Sequence, residues 1–186
     1  MADFDSALRK VLRHEGVAFD ATGYPLPDHT GYSNNPRDNG KETNFGVTIQ
    51  TARDAGYLGD MKALPYVLAR EIYRTSYWMV TRGDEIEDQE IAEEIFDTAV
   101  NMGPVTAIRF LQETLNAYND NGARWADLPV DGLMGPLTAN TLKAAIGYSP
   151  IYRRGILFCI DALQCVRYIH IRGPWVPAWV DNRCGV

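Results

Sequence analysis

The chain has 186 residues, a formal net charge of −6 and a hydrophobic fraction of 46%. This length supports one domain with a real hydrophobic core, and the acidic balance argues against nucleic acid as the main partner, because phosphate binding needs a basic surface. No apolar run approaches the ~18 residues of a membrane-spanning helix, and the N-terminus shows neither a basic nor an apolar signal segment. We therefore expect a monomer that is stored in a cytoplasm without stable membrane insertion.

The first predicted helix begins at Phe4. Apolar residues recur along it with the spacing of one buried helical face. They are Phe4, Ala7, Leu8, Val11 and Leu12. Glu15 continues this face, three residues after Leu12 and four after Val11. Burial disfavours the ionised form of a carboxyl group, so Glu15 is a candidate general acid. The alternative is a helix-end glutamate paired with a nearby arginine.

A long loop follows the first helix. The segment from Gly23 to Gly46 is rich in glycine, proline, asparagine and aspartate, a composition that excludes helix. A short strand is predicted over Thr43 to Thr48, with a small hairpin closed near Asn39-Gly40. Long loops within compact domains are usually functional or disordered.

This loop carries a second carboxylate, Asp38, and a hydroxyl, Thr43. Two carboxylates that face one cleft suit glycoside hydrolysis, since one protonates the departing oxygen while the other activates water or stabilises the transition state. Asp38 is loop-borne and more solvated than Glu15, so we expect it to stay ionised. The alternative for Asp38 is an Asx-turn residue that bonds its own backbone.

The rest of the chain is predicted to be mainly helical, giving an α+β fold with a small β element next to Glu15. The predicted helices run from Thr48 to Ala55, Pro65 to Tyr77, Gln89 to Met102, Pro104 to Ala117, Thr138 to Ala145 and Ser149 to His170. We expect residues 1–186 to form a single domain. Residues 1–80 are its catalytic part with the hairpin, and residues 81–186 are its helical part.

Charge and cysteine use differ along the chain. Residues 84–97 hold eight acids and no base, which predicts a solvated helix face, whereas residues 143–186 hold six bases and two acids. The basic part could bind an anionic polymer, or its arginine stems could pack over a helix.

The cysteines Cys159, Cys165 and Cys184 lack metal-ligand or redox spacing, so we expect them to be reduced and buried.

Four further residues are candidates for substrate binding. Tyr77 and Trp78 end a predicted helix and present rings that suit stacking on a sugar, although core packing is the more common use of such residues. Asp97 and Asn101 are four residues apart on one helix face, which fits either a cleft or a buried hydrogen-bond network.

The turns around Asp131-Gly132 and Gly135-Pro136 are expected to brace the C-terminal helices, with a glycan contact as the alternative. His29 and His170 lack metal-like partners. We predict no metal and no cofactor.

Three stretches of the sequence occur in an order that resembles the motifs of the glycoside hydrolase family 108 muramidases. They are His14-Glu15-Gly16 with Asp38-Asn39-Gly40, Thr43 and Phe45-Gly46-Val47-Thr48; then Phe96-Asp97-Thr98-Ala99-Val100-Asn101-Met102-Gly103; then Val130-Asp131-Gly132-Leu133-Met134-Gly135-Pro136-Leu137-Thr138. The third looks like a signature of peptidoglycan-binding segments, here at residues 104–145. An insertion around Gly23 to Tyr32 lengthens the first loop relative to the family.

The resemblance implies a lysozyme-like fold and hydrolysis of the β-1,4 bond between N-acetylmuramic acid and N-acetylglucosamine in peptidoglycan. Glu15 would be the general acid, with Asp38 and Thr43 completing the catalytic set, the threonine holding the attacking water, and Asn44 binding substrate. Whether Asp38 or Glu42 is the second carboxylate stays open, as does an inverting or retaining outcome.

The simplest role for such an enzyme is that of a phage or prophage endolysin. It would wait in the host cytoplasm and act on the cell wall in the periplasm. A lytic transglycosylase and a non-catalytic peptidoglycan-binding protein are the alternatives.

Overall fold

The computed structural model describes residues 1–34 and 42–171. The chain forms two compact units. One is Asp5–Ser76, and the other joins Met1–Phe4 to the described residues from Tyr77 onward. We call them the N-terminal unit and the helical unit.

Helices dominate the described residues. The helices are α1 (Phe4–His14), α2 (Ile49–Asp54), α3 (Tyr66–Tyr73), α4 (Gln89–Met102), α5 (Pro104–Ala117), α6 (Pro136–Tyr148) and α7 (Pro150–Ile171), with short 3-10 turns at Met61–Ala63 and Gly83–Glu85 and a π-turn at Arg74–Trp78. The strands are β1 (Val17–Phe19), β2 (Pro25–Thr30), β3 (Ser33–Asn34), β4 (Glu42–Asn44) and β5 (Val47–Thr48). The predicted α+β, mainly helical fold is confirmed.

The apolar face predicted for the first helix is buried in the structure. All five of its members are buried, and Leu8 and Leu12 have no exposed surface. Thr48 caps α2 by accepting a hydrogen bond from the Thr51 backbone N–H at 3.2 Å, and Gly56 follows the helix with φ +86°. These local signals therefore place α1 and α2 as the sequence predicts.

The strands of the N-terminal unit form two small antiparallel sheets, β1-β2 and β3-β4-β5. The predicted strand over Thr43 to Thr48 is instead a hairpin, in which Asn44 pairs with Val47 across a turn at Phe45 and Gly46. Both turn residues have positive φ, at 51° and 69°. Two such residues match the twist of paired strands, so they close a tight hairpin rather than continue a strand. The predicted turn near Asn39-Gly40 lies outside the described residues.

An aromatic cluster forms part of the core of the helical unit. The Trp78 ring lies 5.5 Å from the Phe4 ring and 5.5 Å from the Phe96 ring, between ring centroids. Around this core α7 packs against α4, α5 and α6. Edge-to-face and tilted aromatic contacts of this kind add to the hydrophobic stabilisation of the core.

Gln112 on α5 holds the turn that precedes α6. Its side chain is fully buried, its amide nitrogen donates to Asp131 Oδ1 at 2.8 Å, and its amide oxygen accepts from the Gly132 backbone N–H at 2.9 Å. The same nitrogen reaches Thr138 Oγ1 on α6 at 3.2 Å. The turn therefore braces the helices, as one of the two sequence interpretations predicts, because a buried amide must satisfy its hydrogen bonds.

The acidic run is partly neutralised by bases of the C-terminal region. Arg153 on α7 contacts Asp88 and pairs with Glu90 at 2.8 Å. Lys143 on α6 pairs with Glu87 at 2.5 Å. The run is thus more than a solvated helix face, since it supplies ion pairs that join α4 and the residues before it to α6 and α7.

The cysteine prediction is wrong at Cys165, which is disulfide-bonded. Cys159 is free and only half-buried. Local spacing tests only whether Cys159 and Cys165 bond each other, so it gives no information on bonds to distant parts of the chain.

Within residues 1–34 and 42–171, no helix is long and apolar enough to cross a membrane.

Candidate active site

Glu15 lies at the end of α1, as the first residue after the helix. Its backbone N–H donates to the Leu12 carbonyl at 3.1 Å and to the Val11 carbonyl at 3.3 Å, so Glu15 still belongs to the last helical turn. Gly16 then ends the helix with φ +82°. The Glu15 side chain is half-buried. It is therefore carried by a rigid element and keeps access to solvent.

The turn between β4 and β5 lies directly against the Glu15 side chain. A Cβ atom on Gly46 would be 3.1 Å from Glu15 Cγ and 2.5 Å from the Tyr73 hydroxyl oxygen. Tyr73, which is buried, donates its hydroxyl to the Phe45 carbonyl at 3.0 Å. The hydroxyl thus fixes the turn, and the absence of a side chain at Gly46 leaves room for both Tyr73 and the Glu15 carboxyl group.

A second glycine packs against the backbone of Glu15. Gly31, between β2 and β3, approaches so closely that a Cβ on it would lie 2.4 Å from the Glu15 carbonyl oxygen. Its φ is +69°. Glu15 is therefore contacted by two glycines next to strands, Gly31 at its backbone and Gly46 at its side chain, and the lack of a side chain allows each close approach.

Thr43 lies on β4, the strand that leads into the turn at Gly46. It is half-buried and pairs with Thr48 and Ser33 on the two neighbouring strands. Successive side chains of a strand point to opposite faces. Thr43 and the buried Asn44 therefore face opposite sides of the small sheet, and the catalytic role of Thr43 stays a prediction.

Of the two predicted partners for Glu15, Asp38 lies outside the described residues. Glu42 is half-buried on β4 and accepts a hydrogen bond from the Tyr32 hydroxyl at 2.7 Å. This hydrogen bond to the carboxylate raises the pKa of the Tyr32 phenol, with burial as the second cause. Glu42 is thus already engaged by Tyr32.

Asn44, predicted to bind substrate, is instead fully buried. Its amide nitrogen donates to the Met61 carbonyl at 2.7 Å and to the Lys62 carbonyl at 3.3 Å. Asn44 therefore ties β4 to the 3-10 turn at Met61–Ala63, and none of its surface is available to a glycan.

The two aromatic candidates are placed differently. Tyr77 is half-buried, and burial raises the pKa of its phenol. Trp78 has no exposed surface, and its indole N–H donates to Asp84 Oδ1 at 2.8 Å. The structure thus places Trp78 in the core, because its whole ring is enclosed in the aromatic cluster and none of it can stack on a sugar.

Asp97 and Asn101 interact with each other on α4. The Asn101 amide nitrogen donates to Asp97 Oδ2 at 2.9 Å and to the Asp97 carbonyl at 2.8 Å. Asp97 is buried and Asn101 is half-buried. The pair therefore forms the hydrogen-bond network that was one of its two interpretations, and its predicted contact with substrate stays a prediction.

Asp161 on α7 is a half-buried acid near Asp97. Burial raises the pKa of its carboxyl group, and the nearby Asp97 raises it further. Among the described residues its Oδ1 atom is buried with no hydrogen-bond partner. Ionisation of Asp161 is therefore opposed in the folded protein.

Stability is expected to depend on pH through Asp161. Because its pKa is raised in the folded state, the unfolded chain releases this proton first, and the free energy of unfolding falls as pH rises above the usual aspartate range. Asp161→Asn should be more stable than the natural protein at neutral pH, and the difference should shrink in mild acid. Urea unfolding of both proteins across this pH range measures the effect. A difference that stays constant with pH would contradict it.

Two features of the site escaped sequence reasoning. Gly31 packs against the backbone of Glu15, and Tyr73 holds the β4-β5 turn that lies against the Glu15 side chain. Neither residue belongs to a recognisable local sequence pattern. Gly46 lies in a motif, but its role appears only when Glu15 and Tyr73 are seen around it. Within the described residues, no group of three or more histidine, cysteine, aspartate or glutamate residues has the geometry to hold a metal ion.

Comparison with known proteins shows the class of protein to which this chain belongs. The sequence model of the glycosyl hydrolase 108 family matches residues 8–103, which is more than half of the chain. The protein therefore belongs to this family and is a glycoside hydrolase. The matched region includes Glu15, Thr43, Asp97 and Asn101.

A solved structure with a similar fold is that of SagA from Brucella abortus. The two chains are 22% identical, with a TM-score of 0.63 over 96% of this chain and 87% of SagA. This neighbour fits the predicted lysozyme-like α+β fold. No curated protein sequence matches the chain.

Proposed function

We propose that this protein is an endolysin-type muramidase that hydrolyses the β-1,4 bond between N-acetylmuramic acid and N-acetylglucosamine in bacterial peptidoglycan. The observation that carries the proposal is the placement of Glu15 in a chain of the glycosyl hydrolase 108 family. The carboxyl side chain leaves the end of a rigid helix and lies against the β4-β5 turn through Gly46.

In the proposed reaction Glu15 begins protonated and donates its proton to the glycosidic oxygen as the bond to the anomeric carbon breaks. A water molecule attacks that carbon, and a second carboxylate, Asp38 or Glu42, accepts the proton that the water loses. Thr43 would hold this water by a hydrogen bond. The position of Glu15 at the end of a rigid helix supports the acid role, because a half-buried carboxyl group there is held in place and can still reach a bound glycan.

The products distinguish hydrolysis from the lytic transglycosylase reaction. Hydrolysis adds one water per bond cleaved and leaves a reducing end, whereas attack by the substrate's own hydroxyl leaves a 1,6-anhydro end without added water. We expect mass spectrometry of digested cell walls to show reducing N-acetylmuramic acid ends. Anhydro ends would replace the hydrolase proposal by the transglycosylase, and the absence of any cleavage would leave a non-catalytic wall-binding protein.

We further propose that the enzyme is held in the host cytoplasm and acts on the wall in the periplasm. The disulfide bond at Cys165 supports the second step, since such bonds persist in oxidising compartments. Cells that make the protein should then lyse only after their inner membrane is opened. Lysis with an intact membrane would contradict the proposal.

A further inference from the structure

An open depression of about 480 Å³ adjoins Glu15 on the N-terminal unit. Gly16, which follows Glu15 directly, forms part of its lining, as does Gly31, which packs on the Glu15 carbonyl. The side chains of Asp28, Tyr32 and Lys62 also line it. The depression therefore lies beside the backbone of the residue proposed as the general acid.

Much of this lining comes from the insertion that lengthens the first loop. Asp28 is exposed on β2, and Tyr32 follows β2 before β3 begins. Strand β2 pairs with β1, with Thr30 opposite Val17 and Pro25 opposite Phe19. The inserted residues thus form an ordered strand that presents an acidic side chain beside the site.

Lys62 lies on the 3-10 turn at Met61–Ala63, and both its side chain and its backbone make contacts. Its ammonium lies over the Tyr32 ring, 5.3 Å from the centroid. Its backbone N–H donates to Asp60 Oδ1 at 2.9 Å, and its carbonyl accepts from the buried Asn44 amide. A cation that is already positioned loses less conformational freedom when it pairs with a ligand.

Tyr32 links this cation to strand β4. Its ring lies beneath Lys62, and its hydroxyl donates to Glu42 on β4 at 2.7 Å. With Asp28 and His29 the depression therefore presents one carboxylate, one ammonium and one imidazole, each exposed to solvent. Such a surface suits a ligand that carries charges of both signs.

We propose that this depression binds the charged peptide stem of peptidoglycan, an inference that rests on the proposed muramidase function. The stem carries free carboxylates and, in many walls, a free amino group, and it branches from the muramic acid unit next to the bond to be cleaved. Lys62 pairs with a stem carboxylate, and Asp28 pairs with the stem amine. The uncharged sugars can form hydrogen bonds, but they offer no charge to pair with either side chain.

The test compares glycan strands that carry stems with strands from which an amidase has removed them. For Lys62→Ala, the ratio of kcat/KM on stem-bearing strands to kcat/KM on stripped strands should fall by about threefold to fivefold, the size of one solvent-exposed ion pair. The loss should appear in KM and not in kcat, because Lys62 does not touch the reacting atoms. Lys143→Ala, which removes an exposed lysine of the helical unit, should leave the ratio unchanged.

Asp28→Asn provides an independent variant. Asp28→Asn should lower the ratio as much as acetylation of the stem amine lowers it for the natural enzyme. When Asp28→Asn is assayed on acetylated strands, the ratio should fall no further. An unchanged ratio in both Lys62→Ala and Asp28→Asn would overturn the stem assignment while leaving the muramidase function intact. If the natural enzyme cleaves neither kind of strand, the proposed function itself fails.

Discussion

Replacing Glu15 with glutamine is expected to reduce cleavage of purified cell walls by at least about 100-fold, the contribution of a positioned general acid. The amide has nearly the same shape as the carboxyl group but cannot donate a proton to the departing glycosidic oxygen. Because Glu15 is half-buried at the end of α1, the substitution should leave the fold unchanged. The rate of release of reducing ends measures the loss.

The control for this experiment is Glu71→Gln, which makes the same chemical change at an exposed position of α3. It should retain the activity of the natural enzyme. Thermal unfolding of both variants checks that any loss at Glu15 is chemical. If Glu15→Gln kept full activity with a normal unfolding midpoint, the general acid would have to be another residue.

Replacing Gly46 with alanine is expected to lower both stability and activity. The added methyl group would lie 2.5 Å from the Tyr73 hydroxyl oxygen and 3.1 Å from Glu15 Cγ, on a backbone with φ +69°. Strain and overpacking together should cost about 3 kcal/mol in the free energy of unfolding. Activity should fall at least about tenfold, because a small displacement of a catalytic group is costly. Urea unfolding and cleavage rates measure the two effects.

Gly56→Ala is the matched control for Gly46→Ala. Gly56 has a similar φ, +86°, but an added Cβ would meet no atom of the described residues within 4 Å. It should lose only about 1 kcal/mol from backbone strain and should keep full activity. The difference between the two variants therefore isolates the contacts with Tyr73 and Glu15.

A double substitution tests the contact itself. Tyr73→Phe removes the hydroxyl that the new methyl group would meet, at a cost of about 1 kcal/mol for the lost hydrogen bond to Phe45. Gly46→Ala should then be less destabilising in the Tyr73→Phe background than in the natural protein. Equal costs in both backgrounds would show that the turn relaxes away from Tyr73.

Several features of the helices could be predicted from neighbouring residues in the sequence. The apolar face of α1, the start of the second helix at Thr48 and the proline that opens α5 are found where the pattern predicts them. Each depends on residues within a few positions of one another, so the sequence contains the whole cause. The same holds for the glycine that ends α1, because a positive φ is a property of a single residue.

Burial of particular side chains was harder to predict. Tryptophan and asparagine side chains suit sugar binding by their chemistry, yet Trp78 and Asn44 have no exposed surface. Chemical type alone does not reveal which face of an element meets the core. Asn44 is directed inward because the Met61 and Lys62 carbonyls need a donor there, and these residues are distant from it along the chain.

The sequence by itself determined the mainly helical α+β fold, the family and the position of Glu15 at the end of a helix. Only the tertiary structure decided what surrounds Glu15. Gly31, Gly46 and Tyr73 are separated along the chain, and hairpin pairing with helix packing brings them to one place. Helix position follows from interactions between near neighbours, whereas the environment of a side chain follows from contacts between distant segments, and these form only when the chain is folded.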